Sequence, residues 1–403
     1  MSIFDSKIAV TAGLSGSIRF INLSSGACVH LIDEDASSTL LHVNKLVYQD
    51  GQLIACGNPW VRMYDLENLG SPPTVYEGHS GNVTCAAIQK DNKWFITAGE
   101  DGTVRVWDHR ADGYQISIGH TVPINCGTIH PNQGLFIFGD TEGFINEWDL
   151  GANCIIRTPS ADPATGRTGL GVTSVNVIEG NRLIFSYSNN CVGVVAREGT
   201  ENDQDDFASI PQAPQLTFDD ASPAHALSPP SPPPLAPLIS RGVSMLRLTS
   251  PAIATEPDVI QRSTVPARIT SFGNEVHPRS FITSVRLTES SGACVSVTAS
   301  DGSVSLWNKE DDGNEWTLDC ILGISHVHSH SNTWCWDSSF LPGDDYRYIC
   351  AVYDDGKCKL WDSSRPSSAP VAVYDAGGNK CLKSLLILDS HIVDSHPNRR
   401  RSP

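Results

Sequence analysis

Short runs of alternating apolar residues recur along this chain, and several end on an aromatic residue followed by an acid or its amide. Strict alternation over a few residues is typical of β-strands. The first three aromatic pairs begin 43 and 41 residues apart, and the last two begin 54 residues apart. The five pairs are Tyr64-Asp65, Trp107-Asp108, Trp148-Asp149, Trp307-Asn308 and Trp361-Asp362. This pattern predicts a repeated unit of short strands.

The clearest repeat runs from Gly78 to Asp108 and reads GHSGNVTCAAIQKDNKWFITAGEDGTVRVWD. Its alternation predicts three strands, of which the second spans Trp94–Ala98 and the third ends at Trp107. Asp101-Gly102 predicts a tight turn between these two strands, because such a pair supplies the positive φ that short hairpins need. A period of roughly 40–45 residues that ends in Trp-Asp is the signature of a WD-repeat β-propeller blade.

Four polar or aromatic side chains of this repeat stand where a hydrogen-bonded relay across one blade requires them: His79, Thr97, Asp101 and Trp107. By composition the set resembles a protease triad. We interpret it as structural, because buried polar groups must be paired and a fully satisfied relay specifies a fold. In the following repeat, Glu142 is expected in the place of Asp101.

The approximate blade starts are residues 1, 42, 79, 120, 172, 280 and 333, which gives seven blades. The first blade lacks a strand at its beginning, and Lys380–Asp389 offers a spare strand at the other end of the chain. Joining the two would remove exposed sheet edges. The sequence therefore predicts an all-β protein, a seven-bladed WD-repeat β-propeller whose ring is closed by a C-terminal strand pairing with the N-terminal blade.

A long insertion is expected between the fifth and sixth blades, since 112 residues separate Val195 from Trp307. Its composition is rich in proline and acids, which predicts a disordered loop. The run from Ser228 to Pro237 offers a polyproline segment for an SH3 or WW domain. The alternative is an insertion without function, since composition is the sole basis for the partner.

These patterns divide the chain into four parts. Residues 1–199 are predicted to form blades 1–5, and residues 200–276 the proline-rich insertion. Residues 277–390 are predicted to form blades 6 and 7 with the closing strand. Residues 391–403 make a tail that contains the basic run Arg399-Arg400-Arg401.

The composition narrows the classes of function. Lys and Arg total 28 against 45 Asp and Glu, a net charge of −17, which argues against nonspecific nucleic-acid binding and attraction to anionic lipid. The twelve cysteines show no CxxC spacing, and no apolar stretch is long enough for a signal peptide or a membrane span. We expect a protein of the reducing intracellular compartment, without direct membrane insertion.

Candidate reactive sites are weak. His326, His328 and His330 would share one face of a strand, but they lie among Ser and Asn with no further ligand at metal spacing. Neither a phosphate-binding glycine loop nor a GxSxG nucleophile motif occurs. We therefore expect no enzyme activity, no metal and no cofactor.

Three aromatic residues are candidates for binding a protein partner. Aligning the inner strands of the blades places Trp334 and Trp336 out of phase with the core positions, where other blades carry small or polar residues. Phe281 shares the phase of Trp334. Aromatic anchors dominate protein interfaces. The alternative is that these side chains pack between neighbouring blades.

Several segments are similar to a known family. The stretches Tyr76–Arg110, Pro123–Leu150, Val61–Leu69 and Asn332–Phe340 resemble the G-protein-β-subunit-like subunit of target-of-rapamycin (TOR) kinase complexes. The run Ile124–Cys126 followed by His-Pro-Asn-Gln is more specific than generic WD features. Ile21 stands where the family more often has Trp.

The resemblance implies a noncatalytic subunit that binds and stabilises the kinase domain, close to its substrate entrance, in both growth-controlling and cytoskeleton-controlling assemblies. It also implies a cytoplasmic location, peripheral on endomembranes through the kinase complex. Two rival functions remain: a generic scaffold, such as a ubiquitin-ligase substrate receptor or G-protein-like adaptor, and a propeller-borne hydrolase.

Overall fold

The computed structural model describes most of the predicted propeller. The described residues are 6–33, 42–111, 113–159, 170–178, 182–189, 191–196, 257–261, 269–273, 276, 280–288, 294–309, 315–323, 333–343, 346–366, 369–378 and 380–394. The proline-rich run, the histidines at 326, 328 and 330 and the basic run at 399–401 lie outside them.

The strands are short and follow one another closely. The first fifteen are β1 (Lys7–Gly13), β2 (Ile18–Asn22), β3 (Cys28–Ile32), β4 (Lys45–Gln49), β5 (Gln52–Cys56), β6 (Val61–Asp65), β7 (Thr74–Tyr76), β8 (Val83–Ile88), β9 (Trp94–Gly99), β10 (Thr103–Asp108), β11 (Tyr114–Gly119), β12 (Ile124–Ile129), β13 (Leu135–Asp140), β14 (Phe144–Asp149) and β15 (Cys154–Pro159). A short 3-10 helix, Leu66–Asn68, follows β6.

The remaining strands complete the propeller. They are β16 (Val172–Ile178), β17 (Arg182–Tyr187), β18 (Val192–Ala196), β19 (Asp258–Gln261), β20 (Ile269–Phe272), β21 (Ile282–Leu287), β22 (Cys294–Ala299), β23 (Val304–Lys309), β24 (Trp316–Leu322), β25 (Cys335–Phe340), β26 (Tyr348–Tyr353), β27 (Lys357–Asp362), β28 (Ala372–Asp375) and β29 (Leu382–Asp389). The helix α1 (Ser390–Asp394) follows β29.

Within the described ranges, these strands form seven sheets, one for each predicted blade. From the inside of the ring outwards, blade 2 contains β4 to β7, blade 3 β8 to β11 and blade 4 β12 to β15. Blade 5 contains β16, β17, β18 and β20, blade 6 β21 to β24, and blade 7 β25 to β28. The all-β, seven-bladed propeller predicted from the sequence is confirmed.

The first blade joins the two ends of the described chain. Its innermost strand is β29, which pairs antiparallel with β1 from Lys7↔Asp389 to Gly13↔Leu382. The ring is thus closed by a C-terminal strand in the N-terminal blade, as predicted. Closure covers the inner edge of β1, which would otherwise offer unpaired backbone groups.

The core lies between the blades. Each cluster of buried side chains combines two neighbouring blades, as where Trp94 and Ile96 of blade 3 meet Phe136 and Trp148 of blade 4. Because both faces of a blade are covered, middle strands lose the alternation seen on half-exposed sheets. All six residues of β9 are buried for this reason.

Two short strands lie within the segment predicted to be an insertion. β20, the outer strand of blade 5, and β19, a fifth strand that pairs parallel with β15 of blade 4, both fall within residues 200–276. Blade 5 therefore takes its three inner strands from residues 172–196 and its outer strand from residues 269–272. No signal in the sequence pattern indicated β20, because the strand is short and follows a segment without periodicity.

The predicted relay forms a continuous chain of hydrogen bonds in blade 3. Trp107 Nε1 donates to Thr97 Oγ1 over 2.8 Å, and Thr97 Oγ1 lies 2.7 Å from His79 Nε2. His79 Nδ1 lies 2.9 Å from Asp101 Oδ2. Since the carboxylate accepts, Nδ1 carries the proton and the Thr97 hydroxyl donates to Nε2. The pKa of Asp101 is held below its usual value: burial, the largest single effect, would raise it, but the interactions with His79, Ser80 N and Thr103 together outweigh burial.

Blade 4 uses a different acid from the one predicted. His120 Nε2 lies 3.1 Å from Asp140 Oδ2, whereas Glu142 is exposed and contacts Arg157. Asp140 ends β13, so its side chain lies beside the histidine, and Glu142 is carried into the turn beyond it. The turn position alone therefore did not identify the acid.

Replacing Thr97 by valine is expected to lower the free energy of unfolding by about 2 kcal/mol. The change keeps the side-chain volume but leaves the buried indole N–H of Trp107 and the imidazole of His79 without their shared partner. Chemical denaturation measures the change, with the exposed Thr317→Val as the control, expected within about 0.5 kcal/mol of the parent. Equal stability of the two variants would contradict a structural role for the relay.

Candidate protein-binding face

The central channel of the propeller is lined by the inner strands, and a bulge recurs near the start of these strands. The register shifts at one residue in each of β8, β12, β16, β21, β25 and β29. In blade 2, Asn44 lies directly before β4. We call the seven residues at this level the channel ring: Asn44, Thr84, Asn125, Thr173, Thr283, Trp336 and Lys383.

Five members of the channel ring tie each blade to the next. Each donates a side-chain hydrogen bond to the backbone carbonyl at the first position of the next inner strand. The contacts are Asn44 Nδ2 to Val83 O (3.2 Å), Thr84 Oγ1 to Ile124 O (2.7 Å), Asn125 Nδ2 to Val172 O (3.0 Å), Thr173 Oγ1 to Ile282 O (3.1 Å) and Thr283 Oγ1 to Cys335 O (2.6 Å). A small polar residue at this level therefore holds neighbouring inner strands together.

Trp336 and Lys383 are the exceptions. The Trp336 Nε1 atom is shielded from solvent and has no hydrogen-bond partner among the described residues. Lys383 Nζ lies 3.2 Å from the centroid of the Trp336 ring, a cation–π contact. Burial lowers the pKa of Lys383, since desolvation disfavours the charged ammonium. Blades 7 and 1 thus replace the polar link of the other blades with an aromatic–cation pair.

The three predicted aromatic residues lie together at this end of the channel, which we call the mouth. The ring centroids of Phe281 and Trp334 are 6.4 Å apart, and those of Trp334 and Trp336 are 5.4 Å apart. Phe281 is 52% exposed, whereas both tryptophans are half-buried. We call these three residues the aromatic cluster.

Backbone hydrogen bonds fix the aromatic cluster in place. Phe281 and Trp334 occupy the same position, immediately before the inner strands of blades 6 and 7. The Phe281 carbonyl accepts from Ser300 N over 2.9 Å, and the Trp334 carbonyl accepts from Asp354 N over 3.1 Å. The cluster is therefore presented by anchored backbone, which limits the entropy lost when a partner binds.

Below the mouth, a cavity of 730 Å³ follows the channel. Its wall carries a buried aspartate, Asp337 of β25, which accepts from Arg286 Nε (2.8 Å) and Arg286 Nη2 (2.6 Å). The same carboxylate accepts from Leu385 N of the closing strand over 3.2 Å and lies 3.9 Å from Lys45 Nζ. Asp337 therefore connects blade 7 with blades 6, 1 and 2.

The pKa values of Asp337, Arg286 and Lys45 depend on one another. Burial alone would raise the pKa of Asp337, but the Arg286 guanidinium and Lys45 hold it below its usual value. Burial lowers the pKa of Lys45, and the positive charge of Arg286 lowers it further. The basic side chains of Arg286 and Lys45 thus favour the ionised form of Asp337.

Reactive chemistry at this face depends on the burial of its cysteine and on the arrangement of the metal-ligating residue types. The Cys335 thiol beside Trp334 is fully buried, and burial raises its pKa well above the ordinary value, which makes it a poor nucleophile. Within the described ranges, no group of three His, Cys, Asp or Glu residues is arranged to hold a metal ion. No helix in the same ranges is long and apolar enough to cross a membrane.

The sequence located the aromatic cluster but missed the rest of the mouth. The signal for the channel ring was present, because polar residues such as Thr84, Asn125 and Thr283 follow the aligned core position of their blades. Lys383 and Asp337 gave no such signal, since their partners lie on other blades and become neighbours when the ring closes.

Part of this chain is similar to curated proteins that are named as subunits of target of rapamycin complexes. Residues 70–108 match the family described as "WD domain, G-beta repeat". The chain is 40% identical over 109 residues to the "Target of rapamycin complex subunit LST8" of Saccharomyces cerevisiae, a match that covers 26% of this chain and 35% of that protein. It is 41% identical over 113 residues to the "Target of rapamycin complex subunit wat1" of Schizosaccharomyces pombe, covering 27% and 35%.

The chain thus spans about a third of the length of the curated relatives it matches. The resemblance to WD-repeat subunits of TOR complexes expected from the sequence is confirmed over this part. A third relative, the "Target of rapamycin complex subunit LST8-1" of Arabidopsis thaliana, is 38% identical over 113 residues, covering 27% of this chain and 36% of that protein.

Solved structures support the architecture. The β-propeller domain of Cps50 (Swd1) from Myceliophteria thermophila has a TM-score of 0.57 at 14% identity, covering 85% of this chain and 89% of that one. A chain of the Mitotic Checkpoint Complex also has a TM-score of 0.57 at 14% identity, with 90% of each chain covered. At this identity the similarity shows the fold alone.

Proposed function

We propose that this protein is a noncatalytic WD-repeat subunit of TOR kinase complexes, and that it binds and stabilises the kinase domain through the mouth of its central channel. The observation that carries the proposal is the aromatic cluster, which is partly exposed on a rigid face of the propeller. The names of the relatives support a TOR-type kinase as the partner.

The geometry of the cluster fits a protein partner. Interface hot spots are enriched in tryptophan and sit in well-packed, largely desolvated surroundings. Trp334 and Trp336 are half-buried against each other, and Phe281 beside them exposes about half of its surface. A partner that covers Phe281 would complete the burial of both tryptophans.

Combining Trp334→Ala with Trp336→Ala is expected to reduce the amount of co-purified TOR-type kinase at least about tenfold, since truncation of one anchor costs about 2 kcal/mol or more. The tagged variant is purified from its native cell, and the retained kinase is identified and quantified by mass spectrometry against the parent. The melting temperature of the purified propeller is measured in parallel.

The matched control is Trp316→Ala. This tryptophan is also half-buried, but it lies on outer strand β24, stacked on Phe272 and away from the mouth. If the double variant unfolds, Phe281→Ser tests the same face through an exposed side chain. Undiminished kinase recovery with a folded double variant or with Phe281→Ser would overturn the proposal, and recovery of a ubiquitin-ligase adaptor in place of the kinase would favour the generic scaffold.

Two further expectations belong to this proposal. The location would be cytoplasmic, peripheral on endomembranes through the kinase complex. The proline-rich insertion would offer an SH3 or WW domain an additional site, and its residues 228–237 lie outside the described part of the chain. Removing residues 225–240 should leave the recovery of the kinase unchanged, because the kinase is proposed to bind at the mouth and not at the proline-rich run.

A further inference from the structure

The channel departs from the charge of the whole protein. The chain carries a net charge of −17, yet the lining of the cavity contains three cations, Lys45, Arg286 and Lys383, and two carboxylates, Glu100 and Asp337. The described channel is therefore a place of positive excess within an acidic protein. A partner with negative charge would be attracted to it and repelled elsewhere.

The deeper charges are already satisfied within the propeller. Arg286 holds Asp337 through two hydrogen bonds, and Lys45 lies close to the same carboxylate. Glu100 accepts a hydrogen bond from Asn82 Nδ2 over 2.8 Å. Lys383 is the cation of the lining that has no described carboxylate within ion-pair distance, and Glu100 attracts it from farther away.

Lys383 also does not form the hydrogen bond to the next inner strand that residues at the same level of other blades form. At this level, Asn44, Thr84 and their counterparts donate to the next inner strand. Between blades 1 and 2, the link is made one residue later, where Ser384 Oγ accepts from Leu46 N over 3.0 Å. The ammonium of Lys383 is instead held over Trp336, at the edge of the aromatic cluster.

We infer that Lys383 and the aromatic cluster form one composite subsite for an acidic–apolar element of the protein partner. A carboxylate of the partner pairs with Lys383 at the mouth, while an adjacent apolar side chain covers Phe281 and Trp334. The inference rests on the proposed function, since it assumes that this face binds a protein. A charge pair in a partly desolvated mouth is stronger than one in open water.

The number of unpaired cations at the mouth indicates whether its ligand is a single carboxylate or a polyanion. Binding to nucleic acid or to an anionic membrane requires many Lys and Arg side chains, each neutralising one phosphate. The described mouth offers Lys383 without an ion-pair partner, surrounded by aromatic surface. One cation beside an apolar patch on this protein is complementary to one acidic side chain beside an apolar side chain on the partner.

The test uses the intact chain co-expressed with the catalytic region of a TOR-type kinase, with the dissociation constant measured at 50 and 500 mM NaCl (roughly a Debye length of 14 and 4 Å). Lys383→Met keeps the aliphatic stem over Trp336 and removes the charge. We expect affinity to fall on the order of tenfold at low salt, and the salt dependence to become smaller. Lys383→Glu is expected to weaken binding further, and a lysine in place of the paired kinase carboxylate is expected to restore it.

The matched control is Lys93→Met. Lys93 is exposed in the turn between β8 and β9, which lies at the end of the channel opposite the mouth because inner strands begin at the mouth. Parent-like affinity and salt dependence of Lys383→Met, together with lost binding of the Trp334 and Trp336 variant, would overturn the subsite and leave the proposed function standing. If the aromatic variants also bind like the parent, the proposed function fails and the subsite fails with it.

Discussion

Replacing Arg286 by methionine is expected to lower the free energy of unfolding by about 3 kcal/mol. The substitution keeps a long, partly apolar side chain but removes the guanidinium that holds Asp337 through two hydrogen bonds. Asp337 is 2% exposed, so its carboxylate would remain buried with Lys45 at 3.9 Å as the remaining cation. Chemical denaturation at pH 7 measures the loss.

Arg347→Met provides a matched control in the same part of the ring. Arg347 makes the same two-bond contact, with Asp362 of blade 7, but its side chain is 37% exposed, against 27% for Arg286. Because this pair is more exposed than the channel pair and therefore better screened by solvent, its loss is expected to cost less, about 1 kcal/mol. Equal losses in the two variants would contradict a special role for the channel pair.

The pH dependence gives this prediction a second readout. The pKa of Asp337 lies below its usual value of 3.8 in the folded protein, so its ion pair contributes stability above pH 3.8. That contribution is lost as the pH falls through the lower folded pKa. The difference in stability between the parent and Arg286→Met is therefore expected to be largest near neutral pH and to shrink below about pH 4.

The repeated local chemistry of the blades made the fold predictable. Trp107, Thr97 and the Asp101-Gly102 turn each occupy a position set within one repeat, so a single repeat contains the whole relay. The count of blades and the closing strand followed from the same period. The period gave no signal for two strands: β20 supplies the outer strand of blade 5 although it begins at Ile269 and β18 ends at Ala196, and β19 pairs with blade 4, to which it is not adjacent in sequence.

Only the apolar part of the candidate site, the aromatic cluster, could be predicted from the sequence. The phase of Trp334 and Trp336 is a local property, and the bulge at Trp336 places both at the mouth. The charged part depends on contacts across the ring: Asp337 and Arg286 are 51 residues apart, and Lys383 meets Trp336 because the chain closes on itself. Single repeats carry no signal for such pairs.

A chain that ends at residue 379 is expected to lose its cooperative unfolding transition. The truncation removes β29, whose Leu382, Leu385 and Leu388 are 1%, 1% and 6% exposed. Burial of three leucines contributes about 5–9 kcal/mol, which is comparable to the whole stability of a typical domain. It also exposes the edge of β1 and removes the Leu385 N–H from Asp337. Circular dichroism during thermal unfolding measures the loss, with a chain ending at residue 394 as the control.

Moving β29 to the other end of the chain tests the source of this stability. If pairing with β1 stabilises the ring, β29 does not need to be connected to β28. Asp389 lies opposite Lys7, joined by an ion pair with Nζ to Oδ1 of 2.5 Å. A short turn could therefore connect the end of β29 to β1, as in the other blades. A permuted chain that begins with residues 380–394, continues through a short Gly-Ser linker into residue 6 and ends at 379 is expected to regain the transition. A truncated chain that melts like the parent, or a permuted chain that stays unfolded, would contradict closure of the ring by β29 as the source of this stability.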